Sequence, residues 1–156
     1  MSLTASLAGI NLMEHKQIVL CLDVGTKRIG VAKSDALGVA AYAYPFVLRT
    51  KDRKEFKELL KIIETENIQI LLLGLPKNMD GSLGGSVEMV HAFADELKQH
   101  TALPVSYWDE RLSTVEAERM MIDEADMSRK KRKLKIDSMA AQIILQSYLD
   151  KNKDSF

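Results

Sequence analysis

The chain has 156 residues, 46% hydrophobic and 28% charged, the proportions of one ordinary globular domain with a core of useful size. Lys and Arg number 22 and so do Asp and Glu, so a polyanionic partner has to be met by local patches rather than by overall charge. The single cysteine excludes an internal disulfide, and no apolar run approaches the roughly 20 residues that span a bilayer.

Residues 1–12, MSLTASLAGINL, lack the basic start of a signal peptide, and Met13 opens MEHKQIVLCLD, which reads as a start just ahead of a strand. Residues 1–12 are therefore expected to be a leader or remnant without order, residues 13–151 one domain, and residues 152–156 a tail. The stretch IVLCLDVGTKRIGVAKS at 18–34 predicts a β-hairpin. Gly25 supplies the freedom of its tight turn, and Lys27 and Arg28 set positive charge beside Asp23 at the end of the first strand. Cys21, inside that strand, is expected to be a small core residue. Asp35 to Gly38 has the residues of a type I turn, and 39–48, VAAYAYPFVL, predicts a third strand that Pro45 bends or keeps at an edge.

Asp52, with Glu55 three residues on, predicts a capping box for a helix whose apolar face is Phe56, Leu59, Leu60 and Ile63. Ile68 to Leu75 is continuously apolar, as a strand buried on both faces requires. A second helix is expected from about 86 to 100, with Val87, Val90, Phe93, Ala94 and Leu97 inward. A fifth strand runs from Pro104 to Trp108, with Trp108 in the core. Ser113 and Glu116 predict the cap of a third helix, and a last helix follows from about 136 to 149. Three consecutive strands and then strands alternating with helices describe an α/β fold of ribonuclease H-like order: a five-stranded mixed sheet, antiparallel first and then parallel, with helices on both faces.

Three carboxylates stand out by position: Asp23 ends the first strand, Glu110 follows the fifth, and Asp137 opens the last helix. Ligands of open α/β sheets bind at the ends of the parallel strands. Acids converging there repel unless a hard cation lies between them, which points to Mg²⁺ or Mn²⁺ and to phosphodiester hydrolysis. Each acid also has a plain structural role open to it. Asp23 could simply end a hairpin, Glu110 could pair with Arg111 at the rim, and Asp137 could answer the dipole of a helix first turn. The glycine-rich GLPKNMDGSLGG at 74–85, with Asn78, stands between a strand and a helix N-terminus, a place suited to phosphate and equally to an ordinary turn. The run Arg129, Lys130, Lys131, Arg132, Lys133 and Lys135 reads as a solvated loop ahead of the last helix or, beside Asp137, as a clamp on a phosphate backbone.

Four blocks together resemble one family: DVGTKRIGVAKSD at 23–35, GLPKNMDGS at 74–82, DERLST at 109–114 and IDSMAAQIILQSYL at 136–149. They are similar to the YqgF-type proteins, a family of pre-16S rRNA nucleases and Holliday-junction resolvase homologues. The resemblance implies a divalent-metal nuclease acting in 16S rRNA 5′-end maturation; a cytoplasmic location is expected, and monomer and homodimer both stay open. Its acidic positions carry over onto Asp23, Glu110 and Asp137. Lys27, Arg28, Asn78, Arg111, Arg129, Lys130, Arg132 and Lys133 are then candidates for nucleic-acid contact. Three other readings remain: a resolvase acting on branched DNA, a nucleic-acid-binding module without catalysis, and an ATP-binding protein. The last comes from the Asp-x-Gly-Thr turn, which resembles the phosphate loop of sugar kinases, Hsp70 and actin, but those fold as two related lobes and this chain is too short for both.

Overall fold

The computed structural model describes residues 16–76, 85–112 and 129–152, with side chains for 16–76, 87–112 and 138–152. Expectations for residues 1–12, for the tail beyond 152, for the phosphate-loop candidate around Asn78 and for a helix after Ser113 lie outside the described residues. The strands are β1 (Val19–Val24), β2 (Arg28–Ser34), β3 (Ala41–Leu48), β4 (Ile70–Leu75) and β5 (Val105–Asp109). The helices are α1 (Lys54–Thr65), α2 (Gly85–Lys98) and α3 (Arg129–Asn152), and a 3-10 turn, Glu110–Leu112, follows β5.

The strand order is β3-β2-β1-β4-β5. β2 runs antiparallel to β1 and β3, while β1, β4 and β5 are mutually parallel, as the strand order in sequence predicts. Alternation along β1 sorts the core into two layers. Leu20, Leu22 and Val24 pack with Phe56 and Leu59 of α1 and with Val90, Phe93 and Leu97 of α2. Val19 and Cys21 face the other way, against Ala141, Ile144, Leu145 and Leu149 of α3. Leu71, Leu72 and Leu73 of β4 are fully buried, the continuous apolar run of a strand covered on both sides, each contributing about 1.5–3 kcal/mol. Asp23 continues the row of Val19 and Cys21, so it belongs to the face that α3 covers.

β3 is the outer strand, and its register with β2 slips between Ile29↔Val47 and Val31↔Tyr44, so that Pro45 and Phe46 together oppose Gly30. A bulge on an edge strand tolerates a residue without an N–H. The Ser138 hydroxyl of α3 fits this irregularity, accepting from the Val31 N–H at 3.1 Å and donating to the Tyr44 carbonyl at 2.7 Å. Further along α3, Gln142 donates to the Ala41 carbonyl, and Gln146 accepts from the Ala41 N–H while donating to the Val39 carbonyl.

Two helix starts differ from the sequence expectation. α1 is not capped by Asp52: Arg53 is the cap residue, in the left-handed region at φ 59°, and the Thr50 hydroxyl accepts from the Lys54 N–H at 2.9 Å. Glu55 does reach back, but to the Thr50 N–H at 3.1 Å. α3 begins at Arg129, so the basic run is helical backbone rather than a loop ahead of the helix. Among the described residues, no helix is long and apolar enough to cross a membrane.

Candidate active site

Because β1, β4 and β5 are parallel, their C-terminal ends lie together, and the chain sets an acid at two of them. Asp23 stands opposite Gly30 in the β1–β2 ladder, one pair before the ladder ends at Val24↔Ile29. Glu110 leaves β5 in the first residue of the 3-10 turn. Asp23 lies close enough to act on the Glu110 carboxyl both by its charge and by hydrogen bonding. Burial first, then the charge of Asp23 and that hydrogen bond, with Asp109 last, push the Glu110 carboxyl from 4.5 up to about 7. The same two acids, after burial itself, raise the Cys21 thiol well above its ordinary value, so this buried cysteine is an inert core residue, as expected from sequence.

Gly74 makes the meeting possible. It lies in β4 beside Trp108 of β5, and a methyl group there would stand 2.7 Å from Ile144 Cδ1 and 3.0 Å from Glu110 Oε1. The sequence places Gly74 within the apolar strand and at the start of a glycine-rich loop, without a reason for a glycine there. The missed signal is its place at the end of an otherwise large-residue strand, where a glycine marks a close approach.

Glu110 is not the rim partner of Arg111. That pairing belongs to Asp109, whose carboxylate accepts from Arg111 Nε and Nη2 at 3.1 and 2.7 Å and from the Arg111 backbone N–H at 2.9 Å. Trp108 packs against the α3-side core, edge-on to Tyr148 at 5.6 Å between ring centroids. Its buried indole N–H has no hydrogen-bond partner among the described residues.

Asp137 is the ninth residue of α3, not part of its first turn, so the helix dipole gives no account of an acid there. Its side chain lies outside the described residues. Its backbone position is nevertheless informative. The next residue, Ser138, is anchored at Val31 and Tyr44, beside the Gly30 that faces Asp23, whereas Gln146 is anchored at the far end of β3. The start of α3 therefore lies over the Asp23 end of the sheet. Lys27 and Arg28 are exposed in the turn at this same end, with the Arg28 guanidinium 5.5 Å from the Phe46 ring centroid. The side chains of Arg129, Lys130, Arg132 and Lys133 lie outside the described residues.

The donor set fits a hard divalent cation. Two neighbouring carboxyls offer oxygen donors only, and such donors match Mg²⁺ or Mn²⁺. Among the described residues no third His, Cys, Asp or Glu completes a metal-binding group.

The sheet order defines the class, a ribonuclease H-like fold. T. thermophilus RuvC, solved in complex with a Holliday junction substrate, shares that fold with a TM-score of 0.62 at 11% identity, over 90% of this chain and 97% of that one. The RuvX family model, described as Holliday junction resolvase, matches residues 17–151. A relative from Thermoanaerobacter pseudethanolicus is 45% identical over 136 residues, covering 87% of this chain and 98% of its own length. One from Clostridioides difficile is 48% identical over 132 residues, covering 85% and 93%. Both carry the name "Putative pre-16S rRNA nuclease". The chain belongs to the RuvX family.

Proposed function

We propose that this protein is a cytoplasmic metal-dependent nuclease that hydrolyses a phosphodiester bond of precursor 16S rRNA in maturing its 5′ end. The observation that carries the catalytic part is the Asp23–Glu110 pair at the parallel strand ends, with Glu110 raised to about 7. The rRNA substrate is supported by the names of relatives that are 45–48% identical over most of the chain. Asp23, Glu110 and Asp137 would hold Mg²⁺ or Mn²⁺. Such an ion supplies activation of water and stabilisation of charge on the phosphate when bound. The chain's own part is to keep the acids crowded and largely out of water, with Gly74 leaving room for Glu110, and to hold the RNA backbone. Lys27, Arg28, Arg111, Asn78 and the α3 residues Arg129, Lys130, Arg132 and Lys133 are its contacts; Arg111 approaches with its charge already shared with Asp109.

A second reading, cleavage of branched DNA, is favoured by the family description. One experiment separates the two: precursor 16S rRNA and a four-way DNA junction offered side by side, with Mg²⁺, with Mn²⁺ and with a chelator. Cleavage of the RNA that the chelator abolishes is expected. Preferential cleavage of the junction overturns the substrate assignment, and cleavage that persists in chelator overturns the metal site.

A further inference from the structure

The β1–β2 ladder ends at Val24↔Ile29, so Gly25, Thr26 and Lys27 must be held by something other than strand pairing. Gly25 closes the turn through its N–H to the Arg28 carbonyl at 2.8 Å, and a side chain at Gly25 would meet that carbonyl oxygen at 2.7 Å. Among the described residues, two further anchors come from Arg49, the residue after β3. The Arg49 backbone N–H donates to the Lys27 carbonyl at 2.8 Å, and Arg49 Nη1 donates to the Gly25 carbonyl at 3.0 Å. The same guanidinium reaches Glu55 of α1 through Nε at 3.5 Å and lies 5.2 Å over the Phe93 ring of α2. Glu55 is 2% exposed and is fixed in turn by the Thr50 N–H. A planar side chain with several donors in fixed directions can span these partners at once; a lysine, with one point of charge, cannot.

We propose that Arg49 is a positioning residue that holds the 25–28 turn so that Lys27 and Arg28 meet the phosphate backbone of RNA bound beside Asp23 and Glu110. The proposal rests on the nuclease reading above. Arg49 acts through its neighbours: its guanidinium is spent on Gly25, Glu55 and Phe93. Asp23 sits inside the β1–β2 ladder opposite Gly30, and Arg28 is itself paired with Leu48 of β3, so losing the guanidinium leaves both backbones in register and loosens the Gly25 side of the turn, on which the aim of the two cations depends. The effect therefore falls on RNA binding more than on the chemical step.

The test compares wild type, Arg49→Gln, the double variant Lys27→Gln/Arg28→Gln and the triple variant. Each is titrated with a 5′-extended 16S rRNA fragment at several salt concentrations and assayed for KM and kcat. Arg49→Gln should raise KM with kcat little changed. It should flatten the log–log salt dependence by about 0.7 per released phosphate contact, as the double variant does. The triple variant should add little to either, because all three substitutions remove the same contacts. Additive effects, or a lowered melting temperature with unchanged binding per folded molecule, overturn the proposal. If Arg49→Gln does not fold, Arg49→Lys decides in the same way, with a partial loss expected and unchanged binding overturning it. Wild type that neither binds nor cleaves the RNA overturns the proposed function itself. A wild type that cleaves while the double variant binds normally overturns the assignment of Arg49 alone.

Discussion

Glu55 and Glu110 are both withdrawn from water, and burial alone pushes the carboxyl of each upward. They end on opposite sides of the ordinary value because of what they face. At Glu55, hydrogen bonds from its own backbone N–H, from the Thr50 N–H and from Arg49 outweigh burial and lower the carboxyl. At Glu110 the neighbours are further acids, Asp23 and then Asp109, and the carboxyl rises to about 7. A carboxylate whose partners are complete is a structural element. One pressed by neighbouring acids keeps a raised carboxyl, which marks it as a candidate for a functional site.

The sharpest way to break this contrast is to neutralise each acid in turn. Asp23→Asn and Glu110→Gln should each reduce cleavage by more than about 100-fold, since even the outer partners of metal ligands cost up to about that much. Both should fold as well as wild type, because neutralising either removes repulsion; thermal melts alongside Mg²⁺-dependent cleavage check the pair. An active, folded Asp23→Asn would remove Asp23 from the site. Glu55→Gln should do the reverse, lowering stability by roughly 1–3 kcal/mol in urea titration by leaving Arg49 without its counter-charge, while cleavage per folded molecule falls much less.

Gly74→Ala probes the boundary between the two roles. The added methyl meets both Ile144 and Glu110, and overpacking of this kind costs roughly 1–3 kcal/mol. Adding Ile144→Val removes the Cδ1 contact and should recover stability without recovering cleavage. Recovery of both would show that Glu110 is not what Gly74 protects.

The smallest effect is on pH. In metal-free protein, between pH 4.5 and about 7 the folded state keeps the Glu110 proton that the unfolded state has lost, so stability falls as pH rises through that window. After allowing for the solvent exposure of Glu110, the fall should be no more than about 1–2 kcal/mol. Denaturant midpoints across that range should show it in wild type and not in Glu110→Gln. A flat wild-type profile would mean that the Glu110 carboxyl is not raised in solution.

The hairpin, the buried fourth strand and the five-stranded order were legible in the sequence because alternation and continuous apolar runs report burial directly. The site was legible in part. Asp23 and Glu110 could be placed at strand ends, but their contact depends on a gap at Gly74 that no periodicity encodes. Helix starts were the poorest reading. Asp52 and Glu55 have the spacing of a capping box, yet the path of the chain out of β3 gives Glu55 to Thr50 and Arg49. The first two turns of α3 escaped notice for a different reason. Lys and Arg are good helix formers, but a run of them has no apolar face for periodicity to detect.

The glutamines of α3 have a consequence for how this protein keeps to itself. The outermost strand of a sheet is an open template, able to recruit any extended chain that offers matching amides and carbonyls. At Ala41 both groups are already taken by Gln142 and Gln146, and four residues on Pro45 has no N–H to give. A stray strand seeking to lengthen the sheet at β3 would meet a stretch with little left to bind. α3 thus also occupies part of the open edge of the sheet. Gln142→Leu with Gln146→Leu would reopen that rim without touching the acids.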